Sequence, residues 1–91
     1  MRLKWLRTAL RYLDQGAAHI AVDDAVTARL VVKRVLDAVG LHWQQAELGR
    51  PGRVPGTREL VVLRTRFIVP YRVRGETVEI LRVFHTSRRL P

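Results

Sequence analysis

The period of the apolar and polar alternation changes along the chain. Residues 2 to 6, "RLKWL", alternate in twos, which predicts a short strand with Lys4 on its polar face. The next apolar residues recur at spacings of three and four, which indicates an amphipathic helix capped by Thr8 and ending near Val22. The chain therefore begins with a strand that leads into a helix.

A second amphipathic helix follows at once. Two aspartates at 23 and 24 offer an N-cap, and a broad apolar stripe then runs from Ala25 to the region of Gly40 or slightly beyond. A connection of two or three residues predicts that the two helices form a hairpin.

The second half of the chain has the character of strands. Residues 47 to 57 contain three glycines and two prolines and are expected to form a loop. Strands are predicted at 58 to 63, 66 to 73 and 77 to 85, with a tight turn between the last two. The expected fold class is α+β: an N-terminal strand, a helical hairpin and a three-stranded antiparallel meander.

The length of 91 residues predicts one domain spanning residues 1 to 91, because so short a chain cannot divide its core. The absence of cysteine suits a reducing compartment, and no segment resembles a signal peptide or a membrane span. We therefore expect a cytoplasmic protein without a membrane partner.

The predicted strands carry apolar residues on both faces. In "RELVVL" Leu60 and Val62 point opposite to Val61 and Leu63, and "RFIVPY" repeats the pattern. Two helices can cover one face of such a small sheet, so the second face is expected to meet a partner. The alternative is that the loop at 47 to 57 folds over it.

The net charge of +9 is concentrated in the second half of the chain, where ten basic and three acidic residues follow position 49. Fifteen of the seventeen basic residues are arginine, which suits phosphate or carboxylate. A polyanionic or acidic partner is expected. The simpler interpretation is a soluble domain with one positive face.

No residue pattern specifies an enzyme. Ser87 lies close to His85, but no acidic residue follows to complete a nucleophilic triad. The histidines show no metal-ligand spacing, so neither a metal nor another cofactor is expected, and His19 and His42 are interpreted as solvated helix residues. Trp5 is expected in the core, while the role of Trp43 stays open.

Three strings resemble the RelE/ParE family of toxins from bacterial type II toxin–antitoxin systems. They are "LKWLRTALRYLDQ", "ELGRPGRVPGTREL" and "FIVPYRVRGETVEILRVFHTSRR", which together extend over nearly the whole chain. The Gly-Arg-x-Gly loop and the Val-x-His-x-x-Arg-Arg ending resemble the ParE-like branch in particular. The chain departs from the usual ParE pattern at Ala25 and at Gln45 and Ala46, where prolines are common.

The resemblance implies a small basic toxin with a helical hairpin on an antiparallel sheet, neutralised by a cognate acidic antitoxin. ParE-like members poison DNA gyrase, whereas RelE-like members cleave messenger RNA on the ribosome. The positions that carry basic catalytic residues in RelE-like toxins correspond to Glu59, Val61 and Ile68, none of which is basic. Only His85 and Arg88 match near the C-terminus.

We therefore expect a gyrase inhibitor without catalytic residues, with a ribosome-dependent endoribonuclease as the alternative and direct nucleic-acid binding as a secondary possibility. The expected target-facing residues are basic and lie mostly near the C-terminus: Arg58, Arg82, His85, Arg88 and Arg89. The expected antitoxin contacts are apolar and lie on the helical stripe and the second sheet face: Leu13, Ile20, Val61, Ile68 and Val73.

Overall fold

The structure, a computed structural model, describes residues 2–85, without the side chains of residues 47 and 48. Two α-helices precede a short 3-10 helix and most of the sheet. In chain order the elements are β1 (Arg2–Trp5), α1 (Arg7–Ala21), α2 (Ala25–His42), the 3-10 helix (Trp43–Leu48), β2 (Arg50–Pro51), β3 (Arg58–Val61), β4 (Phe67–Arg74), β5 (Thr77–Ile80) and β6 (Phe84–His85).

The strands form one sheet in the order β1, β5, β4, β3, β2, and β6 pairs with β4 beyond the end of β5. Strands β3, β4 and β5 make the antiparallel meander that the sequence predicts, and they are joined by parallel β1 at one edge. Parallel strands need a long connection between them, and the helical hairpin that follows β1 is part of the connection from β1 to β5. The predicted fold class is confirmed.

The predicted strand at 77 to 85 is interrupted. Ile80 pairs with Tyr71 and Phe84 with Ile68, so residues 81–83 lie opposite only two residues of β4. Three residues opposite two make a β-bulge. Within it, the Leu81 N–H donates to the Pro70 carbonyl, so the bulge stays hydrogen-bonded to β4. The bulge separates β5 from β6.

The caps of the two helices differ. Thr8 was expected to cap α1, but the helix begins at Arg7, and the cap residue Leu6 makes no side-chain hydrogen bond to it. The Leu6 N–H still donates to the Ile80 carbonyl of β5, so the chain passes from strand to helix without room for a separate cap. Asp24 caps α2 as predicted, its Oδ1 accepting from the N–H groups of Val26 and Thr27.

Both helices pack on one face of the sheet, here called the inner face. Trp5 of β1 packs against the resulting core, as expected, and Trp43 of the 3-10 helix does so too. Among residues 2–85 no helix is long and apolar enough to cross a membrane. The side chains at the centre of the core are Val35, Val39, Val62, Val69, Tyr71, Val78 and Val83.

The opposite side of the sheet, here called the outer face, is only partly apolar. The expectation of two apolar faces holds for Val61 and Ile68 at one end, but the register turns charged residues outward over the rest. The loop after β2 reaches the apolar end, where the Arg53 guanidinium lies 5.5 Å from the centre of the Phe84 ring. The loop therefore contributes to covering this end of the outer face, which supports the alternative interpretation.

The segment expected to be a plain loop at 47 to 57 contains regular structure. Arg50 and Pro51 pair with Glu59 and Arg58, so a two-residue strand forms the far edge of the sheet. Between β2 and β3 the chain closes on itself, because the Gly52 N–H donates to the Thr57 carbonyl. The glycine and proline content predicted a turn but not this short ladder.

Candidate functional site

Four cations lie side by side on the outer face in two rows across the sheet. Lys4 and Arg72 flank Glu79 in one row, and Arg2 and Arg74 flank Thr77 in the next. We call Arg2, Lys4, Arg72 and Arg74 the cationic patch. Three of its four side chains are exposed, and Arg72 is partly buried.

Glu79 is the carboxylate inside the cationic patch. Its Oε1 lies 2.6 Å from Nε of Arg72, which donates to it. This hydrogen bond lowers the pKa of Glu79, and the charges of Arg72, Arg74 and Lys4 lower it further against the opposing effect of desolvation. Glu79 therefore stays ionised at neutral pH and balances one of four positive charges.

A second ion pair lies on the same face, closer to β2. Glu59 is buried, and its Oε1 is 3.1 Å from NH2 of Arg50. A buried carboxylate without a positively charged partner would strongly destabilise the fold. Glu59 and Arg50 thus compensate each other and add no net charge to the surface.

The predicted target-facing residues do not form one cluster in residues 2–85. Arg58 is half-buried, and its NH1 donates to the Gly49 carbonyl, 2.8 Å away. Arg82 is exposed and lies over the ring of Tyr12 in α1, 5.6 Å from its centre. His85 packs edge-on against Phe67 with the ring centres 5.1 Å apart.

Arg82 and His85 therefore lie on the β6 side of the sheet beside α1, whereas Arg58 is engaged with the segment before β2. The predicted residues Arg88 and Arg89 lie outside the described residues.

Two of the predicted antitoxin contacts are buried in this structure. Leu13 and Ile68 are each only 5% exposed, because Leu13 packs in the core and Ile68 lies beneath its neighbours on the outer face. Ile20 is half-buried against the core, while Val61 and Val73 keep exposed surface. Val73 lies on the inner face, opposite Val78, rather than on the outer one.

The helical hairpin offers a groove that the sequence interpretation did not single out. Small side chains from both helices line it: Ala17, Ala18, Ala21, Ala25 and Ala28, with Arg29 and Val32. Leu10 and Leu36 fall on the same sides of their helices as these residues by helical spacing. They remain 43% and 45% exposed. Both lie within the predicted amphipathic helices, but the spacing of apolar residues does not show which of them stay exposed.

His42 is not the solvated residue that was expected. It is half-buried, and its Nε2 lies 3.3 Å from the hydroxyl of Tyr71. That hydroxyl donates to the Ala46 carbonyl in the 3-10 helix, so the contact joins α2, the 3-10 helix and β4. His19 is exposed, as predicted.

None of the three outer-face residues that the resemblance matches to basic catalytic positions of RelE-like nucleases is a cation. Glu59 is paired with Arg50, Val61 is an exposed apolar residue and Ile68 is buried. Among residues 2–85 no three His, Cys, Asp or Glu side chains are placed to hold a metal ion. Such a surface is a poor match for the negative charge that develops on phosphate during cleavage.

Comparison with known proteins agrees with this fold. Residues 3–90 match the family model described as the ParE toxin of type II toxin–antitoxin systems. The chain belongs to the ParE toxin family.

Two relatives cover nearly the whole chain. It is 42% identical over 90 residues to a Sinorhizobium fredii (strain NBRC 101917 / NGR234) protein named "Putative toxin Y4kP", spanning 99% of this chain and 93% of that one. A solved chain titled "Chromosomal ParDE TA system from P. aeruginosa" matches with a TM-score of 0.89 and 36% identity. That match covers 96% of this chain and 97% of the solved chain.

Proposed function

We propose that this ParE-family toxin acts in the cytoplasm by binding and inhibiting DNA gyrase, and that it catalyses no reaction itself. The observation that carries the proposal is the composition of the outer face where a related nuclease needs cations. A paired carboxylate at Glu59 and hydrocarbon at Val61 and Ile68 would destabilise, not stabilise, a phosphate transition state. Family membership supplies gyrase as the expected target.

The target-facing surface is proposed at the β6 edge. Arg82 is exposed there and His85 lies nearby on β6. The proposal also includes Arg88 and Arg89, which follow His85 by three and four residues in the sequence. Arg58 is given a smaller part, because its guanidinium already holds the Gly49 carbonyl.

The test is a purified gyrase supercoiling assay run beside a translation extract. The proposal expects slower supercoiling, or accumulation of cleaved DNA, with intact transcripts. Cuts in messenger RNA on translating ribosomes, without any effect on gyrase, would instead establish the ribonuclease alternative.

One pair of variants tests the proposed surface. Arg82→Gln removes an exposed cation from the β6 edge, and we expect it to raise the concentration needed for half-inhibition about tenfold or more, as loss of a well-placed arginine contact does. Lys33→Gln removes an exposed cation from α2, whose partner is Asp37 four residues on, and serves as the matched control. Equal inhibition by both variants would place the contact elsewhere.

We further propose that the cognate antitoxin binds the groove of the helical hairpin. Alanine side chains let a partner helix approach closely, and the exposed parts of Leu10 and Leu36 supply apolar surface on either side. Arg29 in the same groove suits an acidic antitoxin.

Leu36→Glu should weaken antitoxin binding at least about thirtyfold, because a charge would be buried in the contact. Leu41→Glu is the matched control, since Leu41 is 84% exposed and turns away from the groove. Isothermal titration of each toxin variant with antitoxin measures the effect. A similar loss for both variants, or none for Leu36→Glu, would contradict the assignment.

A further inference from the structure

The cationic patch is separate from both surfaces proposed above. Its four residues lie on β1 and β4, on the outer face, whereas the groove lies between helices that pack on the inner face. Strand β6 pairs with Phe67 and Ile68, at the other end of β4 from Arg72 and Arg74. Four cations surround one carboxylate there, which leaves a local charge of +3.

The chemistry of the patch favours a partner that is recognised by charge alone. Its two rows contain charged side chains and one threonine, Thr77, but no apolar side chain. A protein partner normally anchors itself with buried aromatic or aliphatic groups, for which these rows offer no counterpart. A phosphate backbone needs cations only.

The dimensions of the patch suit several phosphate contacts at once. It spans three neighbouring strands, a width of about 10 Å, and two residues along each outer strand, about 7 Å. Glu79 accepts a hydrogen bond from Nε of Arg72 and so orients that guanidinium. A side chain that is already oriented loses less conformational entropy on binding. Three of the four cations come from arginine, whose planar fork fits phosphate oxygens.

We propose that the cationic patch binds the phosphate backbone of duplex DNA without reading its sequence. The contact goes beyond inhibition of gyrase and does not depend on it. A local charge of +3 neutralises about three phosphates, which corresponds to a slope of about −2.7 in a plot of the logarithm of affinity against the logarithm of salt concentration.

The experiment measures binding of the purified full-length toxin to a fluorescent mixed-sequence duplex by anisotropy, over a tenfold range of salt. Lys4→Gln/Arg74→Gln removes two patch charges. It should make the slope less negative by about 1.8. The ratio of wild-type affinity to variant affinity should therefore be about sixtyfold larger at the lowest salt concentration than at the highest.

Two controls separate the patch from overall charge and from folding. Arg11→Gln/Lys33→Gln has the same net charge but removes two exposed cations of the helical hairpin, and it should keep the wild-type slope. Lys4→Arg/Arg74→Lys keeps both patch charges and should keep the slope as well. Circular dichroism and thermal melting of each variant verify the fold.

Three results would overturn the proposal. The first is no binding at low salt. The second is an equal change of slope in both charge-removing variants, which would mean that only net charge matters. The third is patch-dependent binding of poly-glutamate without binding of DNA, which would make the surface a dock for an acidic peptide.

Discussion

Tyr71 and Gly49 form a close contact whose removal should weaken the fold in a specific, non-additive way. The buried hydroxyl of Tyr71 donates to the Ala46 carbonyl and lies 3.3 Å from Nε2 of His42. It can do so because residue 49 is glycine: a Cβ there would overlap the hydroxyl oxygen and lie 2.7 Å from Cζ of the ring. The contact fixes the 3-10 helix that leads into β2 and the arginine-containing loop.

The size of the effect follows from the burial of these groups. Tyr71→Phe leaves the Ala46 carbonyl and His42 without the hydroxyl, which should cost about 1 to 3 kcal/mol. In a domain of this size each kcal/mol lowers the melting temperature by about 4 to 8 °C. Gly49→Ala forces the Cβ against the tyrosine, and such overpacking also costs about 1 to 3 kcal/mol.

The two substitutions should be coupled, because Tyr71→Phe removes the atom that the new Cβ would overlap. We expect the double variant to be less destabilised than the sum of the single variants by about 1 kcal/mol. Urea denaturation of all four proteins measures the cycle. Tyr12→Phe, which alters an exposed tyrosine, is the control and should change stability by less than about 0.5 kcal/mol.

Additive free energies in this cycle, or a change for Tyr71→Phe as small as that of the control, would refute the reasoning. Either result would mean that the hydroxyl does not carry the contact between β4 and the 3-10 helix.

Two further predictions concern carboxylates. The pKa of Glu79 is lowered below 4.5 in the folded protein, chiefly by its hydrogen bond from Arg72, so its stabilising effect is present above that pH and is lost as the pH falls through the folded value. Glu79→Gln should therefore lower the melting temperature at pH 7. Between about pH 5 and pH 2 the melting temperature of this variant should fall less steeply than that of the wild type. An equally steep fall in both proteins would contradict this. Asp24→Ala removes the cap of α2 and should cost about 1 kcal/mol in urea denaturation, whereas Asp23→Ala, one residue earlier, should cost much less.

The sequence predicted best those features that depend on local periodicity and turn chemistry. The two helices, the Asp24 cap and the turn between β4 and β5 were all predicted, and Gly75 adopts a positive φ of 58° in that turn. The bulge at residues 81–83 was not, because an unpaired residue depends on the register between strands and leaves no mark on an apolar run.

The candidate surfaces were harder to predict for the same reason. Alternation within one strand places Arg72 and Arg74 on a common face, but only the register with β1 and β5 brings Lys4 and Glu79 beside them. The burial of Leu13 depends likewise on how the helices pack on the sheet. Residue type indicates whether a side chain is apolar or charged, while tertiary packing decides whether it stays accessible.

The division of the sheet into two faces separates the groove proposed for the antitoxin from the patch proposed for DNA. The inner face packs against the helices, and the groove proposed for the antitoxin lies on the hairpin, where Leu10 and Leu36 keep exposed apolar surface. On the part of the outer face formed by β1, β5 and the end of β4, charged side chains avoid an exposed apolar sheet. Because the two surfaces lie on opposite layers, a helix seated in the groove would leave Lys4 and Arg74 uncovered. Charge removal at the patch and charge insertion at Leu36 should therefore act independently, which makes the DNA and antitoxin experiments separate tests.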